Sequence, residues 1–106
     1  MKQVVNGKRY DTEASKLLAA WDNGYRRWDF DWLSESLYVT TKGNYFLHEE
    51  GGANTSLHTQ KGSNWRCGGE QITTLDPPGV VEWLERRQIE AVSDLGEAVT
   101  SLIEEA

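Results

Sequence analysis

Ser34-Glu35-Ser36-Leu37-Tyr38-Val39-Thr40-Thr41, followed by Lys42-Gly43-Asn44 and Tyr45-Phe46-Leu47-His48, is the stretch that decides the fold. Its two arms are rich in β-forming and aromatic residues, and the segment between them has the small and polar residues of a tight turn. The reading is an antiparallel hairpin over 34–48. A second, shorter hairpin is expected over 3–10, where Asn6-Gly7 suits the two positive φ angles of a type I′ turn. Gln71-Ile72-Thr73-Thr74-Leu75 reads as one more strand.

Helical signals flank this sheet. Asp11 or Thr12 is placed to cap a helix over 12–21, in which Ala14, Leu17, Leu18 and Trp21 fall on one stripe and Asn23-Gly24 gives the stop. Asp76-Pro77-Pro78 opens a second helix, with an N-cap and then prolines in the first turn, where a missing N–H costs little. Val80, Val81, Trp83, Leu84 and Ile89 form its apolar side, and Val92, Leu95, Val99, Leu102 and Ile103 continue at spacings of three and four. The expected fold is α+β: a small antiparallel sheet of about four or five strands, covered by helix 12–21 and a C-terminal helical region over 77–105. Residues 49–70, with Gly51-Gly52 and Gly68-Gly69, read as an irregular segment that is functional or mobile.

A chain of 106 residues is one domain's worth of protein, here 1–106. No apolar run reaches the roughly 18 residues of a membrane-spanning helix. The first residues are too polar for a secretory signal, and the single cysteine, Cys67, cannot form an internal disulfide. The expected compartment is therefore the cytoplasm. The net charge of −6 is confined to the last third of the chain. Residues 1–75 are balanced, whereas 76–106 set only Arg86 and Arg87 against Asp76, Glu82, Glu85, Glu90, Asp94, Glu97, Glu104 and Glu105. Such a surface repels phosphate backbones and attracts basic grooves, or it serves only as a solvated helix face.

Groups for catalysis are sparse. Cys67 has only His48 and His58 as potential bases. His48-Glu49-Glu50 lacks a second histidine at helical spacing, so no metal site and no cofactor are expected. Asp29/Asp31 and Glu49/Glu50 are adjacent acids without a demonstrated cleft between them. The glycine pairs match no phosphate-binding loop and read as turns or bulges. Tyr25-Arg26-Arg27-Trp28 interleaves aromatic and basic side chains, as single-strand binders do, but Asp29 and Asp31 follow at once. Of the five tryptophans, Trp21, Trp32 and Trp83 sit on apolar stripes, while Trp28 and Trp65 have polar neighbours and are candidate exposed anchors.

The segments Asn6-Gly7-Lys8-Arg9-Tyr10-Asp11-Thr12-Glu13, Leu37-Tyr38, Thr41-Lys42-Gly43-Asn44-Tyr45-Phe46-Leu47, Gly51-Gly52 and Glu82-Trp83-Leu84 resemble a family of small bacterial proteins common on phages and other mobile elements. That family carries NGKxYDTE and LYxTKxGxYFLxxEGG hairpin motifs. The resemblance covers about 3–85 and leaves 87–106 as an acidic amphipathic extension. Its motifs are fold signatures and supply no catalytic residues. The mobile-element setting implies, by context, a small inhibitor such as an anti-CRISPR protein.

The expected function is thus a non-enzymatic, acidic protein-binding module that occupies a basic nucleic-acid groove of a partner such as a CRISPR–Cas effector. Its contacts are expected at Glu82, Glu85, Glu90, Asp94 and Glu97, with Trp65 and Arg66 in the glycine-bounded segment. Two alternatives stand beside it: a homodimer paired through Val92, Leu95, Val99 and Leu102, and a small enzyme or a ligand or metal binder at 49–70 using His48, Glu50, His58 and Cys67.

Overall fold

The structure, a computed structural model, describes residues 1–55, 57, 59–60, 66–89, 92 and 95–104, with backbone alone at 59–60 and 66–67. Among the described residues, eight strands and two short helices follow in chain order: β1 (Lys2–Val5), β2 (Lys8–Asp11), β3 (Lys16–Asp22), β4 (Leu33–Val39), β5 (Tyr45–Gly51), β6 (Thr59–Gln60), β7 (Arg66–Cys67), β8 (Gly69–Leu75), α1 (Pro77–Arg86) and α2 (Glu97–Thr100). The main sheet is antiparallel throughout, in the order β3-β4-β5-β8. β1 with β2, and β6 with β7, form separate two-stranded ladders.

The two expected hairpins are present. Asn6 (φ 51°) and Gly7 (φ 78°) both take the left-handed backbone that joins β1 to β2. β4 and β5 pair along their whole length, from Leu33 with Gly51 to Val39 with Tyr45. The strand read at 71–75 is β8, which begins two residues earlier.

Residues 16–22 depart from the expectation of a helix over 12–21: they form β3, the edge strand beside β4. Three observations account for the difference. Asp11 does not cap a helix, because its carboxylate accepts a hydrogen bond from the Glu13 N–H (3.0 Å) and closes a local turn. A register shift between Leu17 and Ala19 adds one residue to the strand. Leu18, Ala19 and Trp21 therefore all pack against the core, an apolar pattern that imitates helical spacing. Finally, as a strand this segment satisfies the second edge of backbone N–H and C=O groups on β4, whereas a helix of about ten residues is marginal by itself.

Pleating divides the main sheet into two faces. Leu37, Tyr45 and Leu47 point to one face and are covered by Val80, Trp83 and Leu84 of α1, together with Leu95 and Val99. Phe46 and Ile72 point to the other, where the β1–β2 hairpin supplies Tyr10. Tyr10 meets Phe46 edge-on at 5.3 Å, and Tyr38 stacks on Phe46 at the same distance.

The C-terminal region is not one helix. Asp76 caps α1 by accepting the Gly79 N–H at 2.8 Å, with Pro77 and Pro78 in the first turn, as the sequence indicates. The helix stops at Arg86. Gln88 turns into the left-handed region (φ 56°), and the Ile89 N–H returns to the Leu84 carbonyl. α2 is a single turn, held to the sheet where the Tyr45 hydroxyl donates to the Leu95 carbonyl.

Glu35 lies on the helix-covered face of β4 and is 5% exposed. Its Oε1 accepts hydrogen bonds from Trp83 Nε1 (2.8 Å) and Arg87 Nε (2.7 Å), and the Arg87 guanidinium lies 3.7 Å over the Trp21 ring. Burial by itself raises the Glu35 pKa, but the hydrogen bonds from Arg87 and Trp83 and the charges of Arg87 and Arg86 outweigh it. The carboxyl is held below its ordinary value.

Glu35→Ala leaves a half-buried guanidinium and an indole N–H without their acceptor, so it should cost about 3 kcal/mol in urea unfolding. Glu35→Gln retains an acceptor and should cost about 1–2 kcal/mol at pH 7. Because the folded pKa of Glu35 is lowered, its contribution is complete above the unfolded carboxylate value of about 4.3. That contribution is lost as pH falls through the folded value. The gap between wild type and Glu35→Gln should therefore narrow below about pH 4.

Candidate functional site

The loop between β3 and β4 is fastened at both ends and exposes its middle. At its base, the Asn23 side chain donates to the Asp31 carbonyl (2.7 Å) and accepts from the Leu33 N–H (3.1 Å). Gly24 (φ 85°) makes the turn that Asn23-Gly24 signals, here ending a strand and not a helix. Further along, Asp31 N–H donates to Asp29 Oδ1 (2.8 Å), and Asn54 reaches the Phe30 carbonyl and Asp31 Oδ1. These bonds bind residues 29–31 to the end of β5.

The glycine pairs allow this close approach. A Cβ on Gly52 would stand 2.5 Å from the Asp29 carbonyl oxygen and 2.6 Å from that of Phe30. One on Gly68 would stand 2.7 Å from the Gly51 carbonyl oxygen. Backbone packs on backbone at these positions, a tighter constraint than the turns or bulges the sequence suggests.

With the loop fixed in this way, Tyr25, Trp28 and Phe30 are 52%, 76% and 68% exposed. The Arg26 guanidinium lies 5.2 Å from the Trp28 ring centroid, and Arg27 lies 5.5 Å from that of Trp32. An open cleft of about 530 Å³ runs beneath, lined by Arg27, Trp28, Phe30, Trp32, Glu50 and Glu70 among others. Exposed aromatics grouped on a braced loop beside a cleft are the features that mark recognition surfaces. At the cleft wall, His48 Nε2 is 3.0 Å from Glu70 Oε2 and His48 Nδ1 is 3.8 Å from Glu50 Oε1. Arg27 approaches Glu50 at 3.5 Å.

The residues singled out from sequence are dispersed. Glu82 and Glu85 are exposed on α1, and Glu97 is exposed on α2. Glu90, Asp94, Trp65 and His58 lie outside the described residues, as do the side chains of Arg66 and Cys67. Of the residues expected to pair two copies of the chain, Leu95 and Val99 are buried in the chain's own core, at 6% and 0% exposure. Val92 also packs on that core, and only Leu102 is exposed. Leu95 and Val99, the central members of that stripe, cover the sheet of their own chain. The reading of Trp28 as an outward side chain and Trp83 as core agrees with the structure, whereas Trp32 is half-buried at the cleft. Phe30 gave no signal in the sequence, since its alternation with Trp28 and Trp32 reads equally well as a core strand.

No family model matches the chain, and no curated protein and no solved structure matches it.

Gly52→Ala should force the 29–30 backbone away from β5 and cost about 1–3 kcal/mol in chemical unfolding. Trp28→Ala, which removes an outward side chain from the same loop, should change stability by less than about 0.5 kcal/mol. Equal effects for the two would contradict the described loop packing.

Proposed function

We propose that this chain is a protein-binding module without catalytic activity, and that loop 25–32 is its recognition surface. The observation that carries the reading is the joint exposure of Tyr25, Trp28 and Phe30 on a loop whose backbone is pinned by Asn23, Gly52 and Asn54. An aromatic anchor on a braced loop has less conformational freedom to lose on binding, which lowers the cost of association. Arg26 and Arg27 are offset by Asp29 and Asp31 in the same loop. Mixed charge around aromatic side chains suits a protein surface better than a phosphate backbone.

A second reading is supported by the outward placement of Glu82, Glu85 and Glu97. In it, the acidic α1–α2 side enters a basic groove, and a nucleic-acid-binding effector of the CRISPR type in the bacterial cytoplasm is the partner whose chemistry fits. The resemblance to mobile-element proteins belongs with this reading.

The two are separated by capture from bacterial lysate with three baits: wild type, Trp28→Ala/Phe30→Ala, and Glu82→Lys/Glu85→Lys/Glu97→Lys. The expected result is a partner retained by the charge-reversed bait and weakened at least about 30-fold, or 2 kcal/mol, by loss of the aromatic pair. Loss with the charge-reversed bait alone transfers the function to the acidic side. Retention by both variants excludes both surfaces.

A further inference from the structure

The partner-binding reading leaves one group of side chains unused. His48 and Glu50 stand two residues apart on β5 and so share the sheet face opposite the helices. Glu70 stands on β8 directly across from Glu50 in the ladder. One ligand atom from each of the three lies within 4.8 Å of the others.

Three features of this group point to a cation. First, like charges directly opposite each other on paired strands repel, so Glu50 and Glu70 are stabilised by positive charge between them. The nearby Arg27 supplies little of it: its side chain is 77% exposed and, of the two carboxylates, the described ion pair is with Glu50, at 3.5 Å. Second, the donor set is mixed. An imidazole with two carboxylates suits a borderline divalent transition metal, whereas magnesium and calcium favour oxygen ligands alone. Third, the spacing is already near that of a coordination shell. Donors about 2.0–2.1 Å from a tetrahedral ion lie roughly 3.3 Å apart. His48 Nε2 and Glu70 Oε2 are separated by 3.0 Å in a hydrogen bond that the ion would replace, and Glu50, now 3.8 Å from His48 Nδ1, would turn to the Nε2 side to complete the set. The scaffold is firm: β5 is paired on both sides, and the His48 side chain is only 13% exposed.

We propose that His48, Glu50 and Glu70 form a binding site for a divalent transition-metal ion of the zinc type. Glu50 and Glu70 also line the cleft, so the fourth coordination position opens towards it. Three protein ligands and one open position distinguish such a centre from a closed structural site. The proposal is independent of partner binding, because the ion is held by this chain alone.

The test is calorimetric titration of the chelator-treated chain with zinc chloride alone, with magnesium and calcium chloride in parallel. One zinc per chain, a raised thermal midpoint and no comparable response to magnesium or calcium are expected. Glu70→Gln alters a half-exposed side chain and should leave the fold intact. It should weaken zinc binding by more than the roughly 10–100-fold that loss of a group behind a ligand costs. His48→Ala should do the same, whereas Cys67→Ser should bind as wild type does. With cobalt(II) in place of zinc, visible absorption bands should form and should be lost in Glu70→Gln. Absence of zinc uptake by the wild type, or uptake that survives both His48→Ala and Glu70→Gln, would overturn the site.

Discussion

A carboxylate on the inner face of a sheet has to be neutralised where it stands, and in this protein that requirement joins the two layers. Glu35 belongs to β4, a central strand, yet it points under the helix. The indole of Trp83 and the guanidinium of Arg87 both reach its Oε1 from the C-terminal half of α1 and the residue that caps it. Arg87 in turn rests on Trp21 of the edge strand. One buried charge therefore ties β3, β4 and α1 to a single arrangement. Moving the helix by one turn would strand both the charge and its donors, in addition to the packing of Val80 and Trp83. This is a registry role, in which the ion pair fixes position even where a hydrophobic replacement could match its stability.

With one face of the sheet closed by the helices, the other is only partly covered. The β1–β2 hairpin brings Tyr10 over Phe46 and Ile72, and the Gln3 side chain accepts from the Ile72 N–H. Beyond that hairpin, the face ends in His48, Glu50 and Glu70, overhung by the aromatic loop. The molecule thus places its chemically diverse side chains at the end where its covering layer stops. The proposed recognition loop and the proposed metal site border the same cleft, through Trp28, Phe30, Glu50 and Glu70.

Much of the architecture was legible from sequence because its signals are local. Asn6-Gly7 and Lys42-Gly43-Asn44 dictate turns whatever surrounds them, and Asp76-Pro77-Pro78 starts a helix by backbone chemistry alone. Segment 12–21 was misread because a bulged strand and an amphipathic helix place apolar residues at similar spacings. The decision between them came from the open edge of β4. The C-terminal stripe was legible as apolar, but not as what it covers: Leu95 and Val99 pack in the chain's own core. The outward position of Trp28 followed from its polar neighbours.

The sequence by itself determined the hairpins, the start of α1 and the confinement of excess negative charge to the last third, because each depends on composition or on residues within a few positions of one another. Tertiary structure decided the rest. Glu35 sits between two serines and reads as a solvent-facing residue until α1 crosses above it. Gly52 and Gly68 read as turn residues until another stretch of backbone lies against them. His48, Glu50 and Glu70 become neighbours only through the β5–β8 register, which brings together positions about twenty residues apart along the chain. Burial and convergence are properties of how distant segments meet, and no local pattern in the chain encodes them.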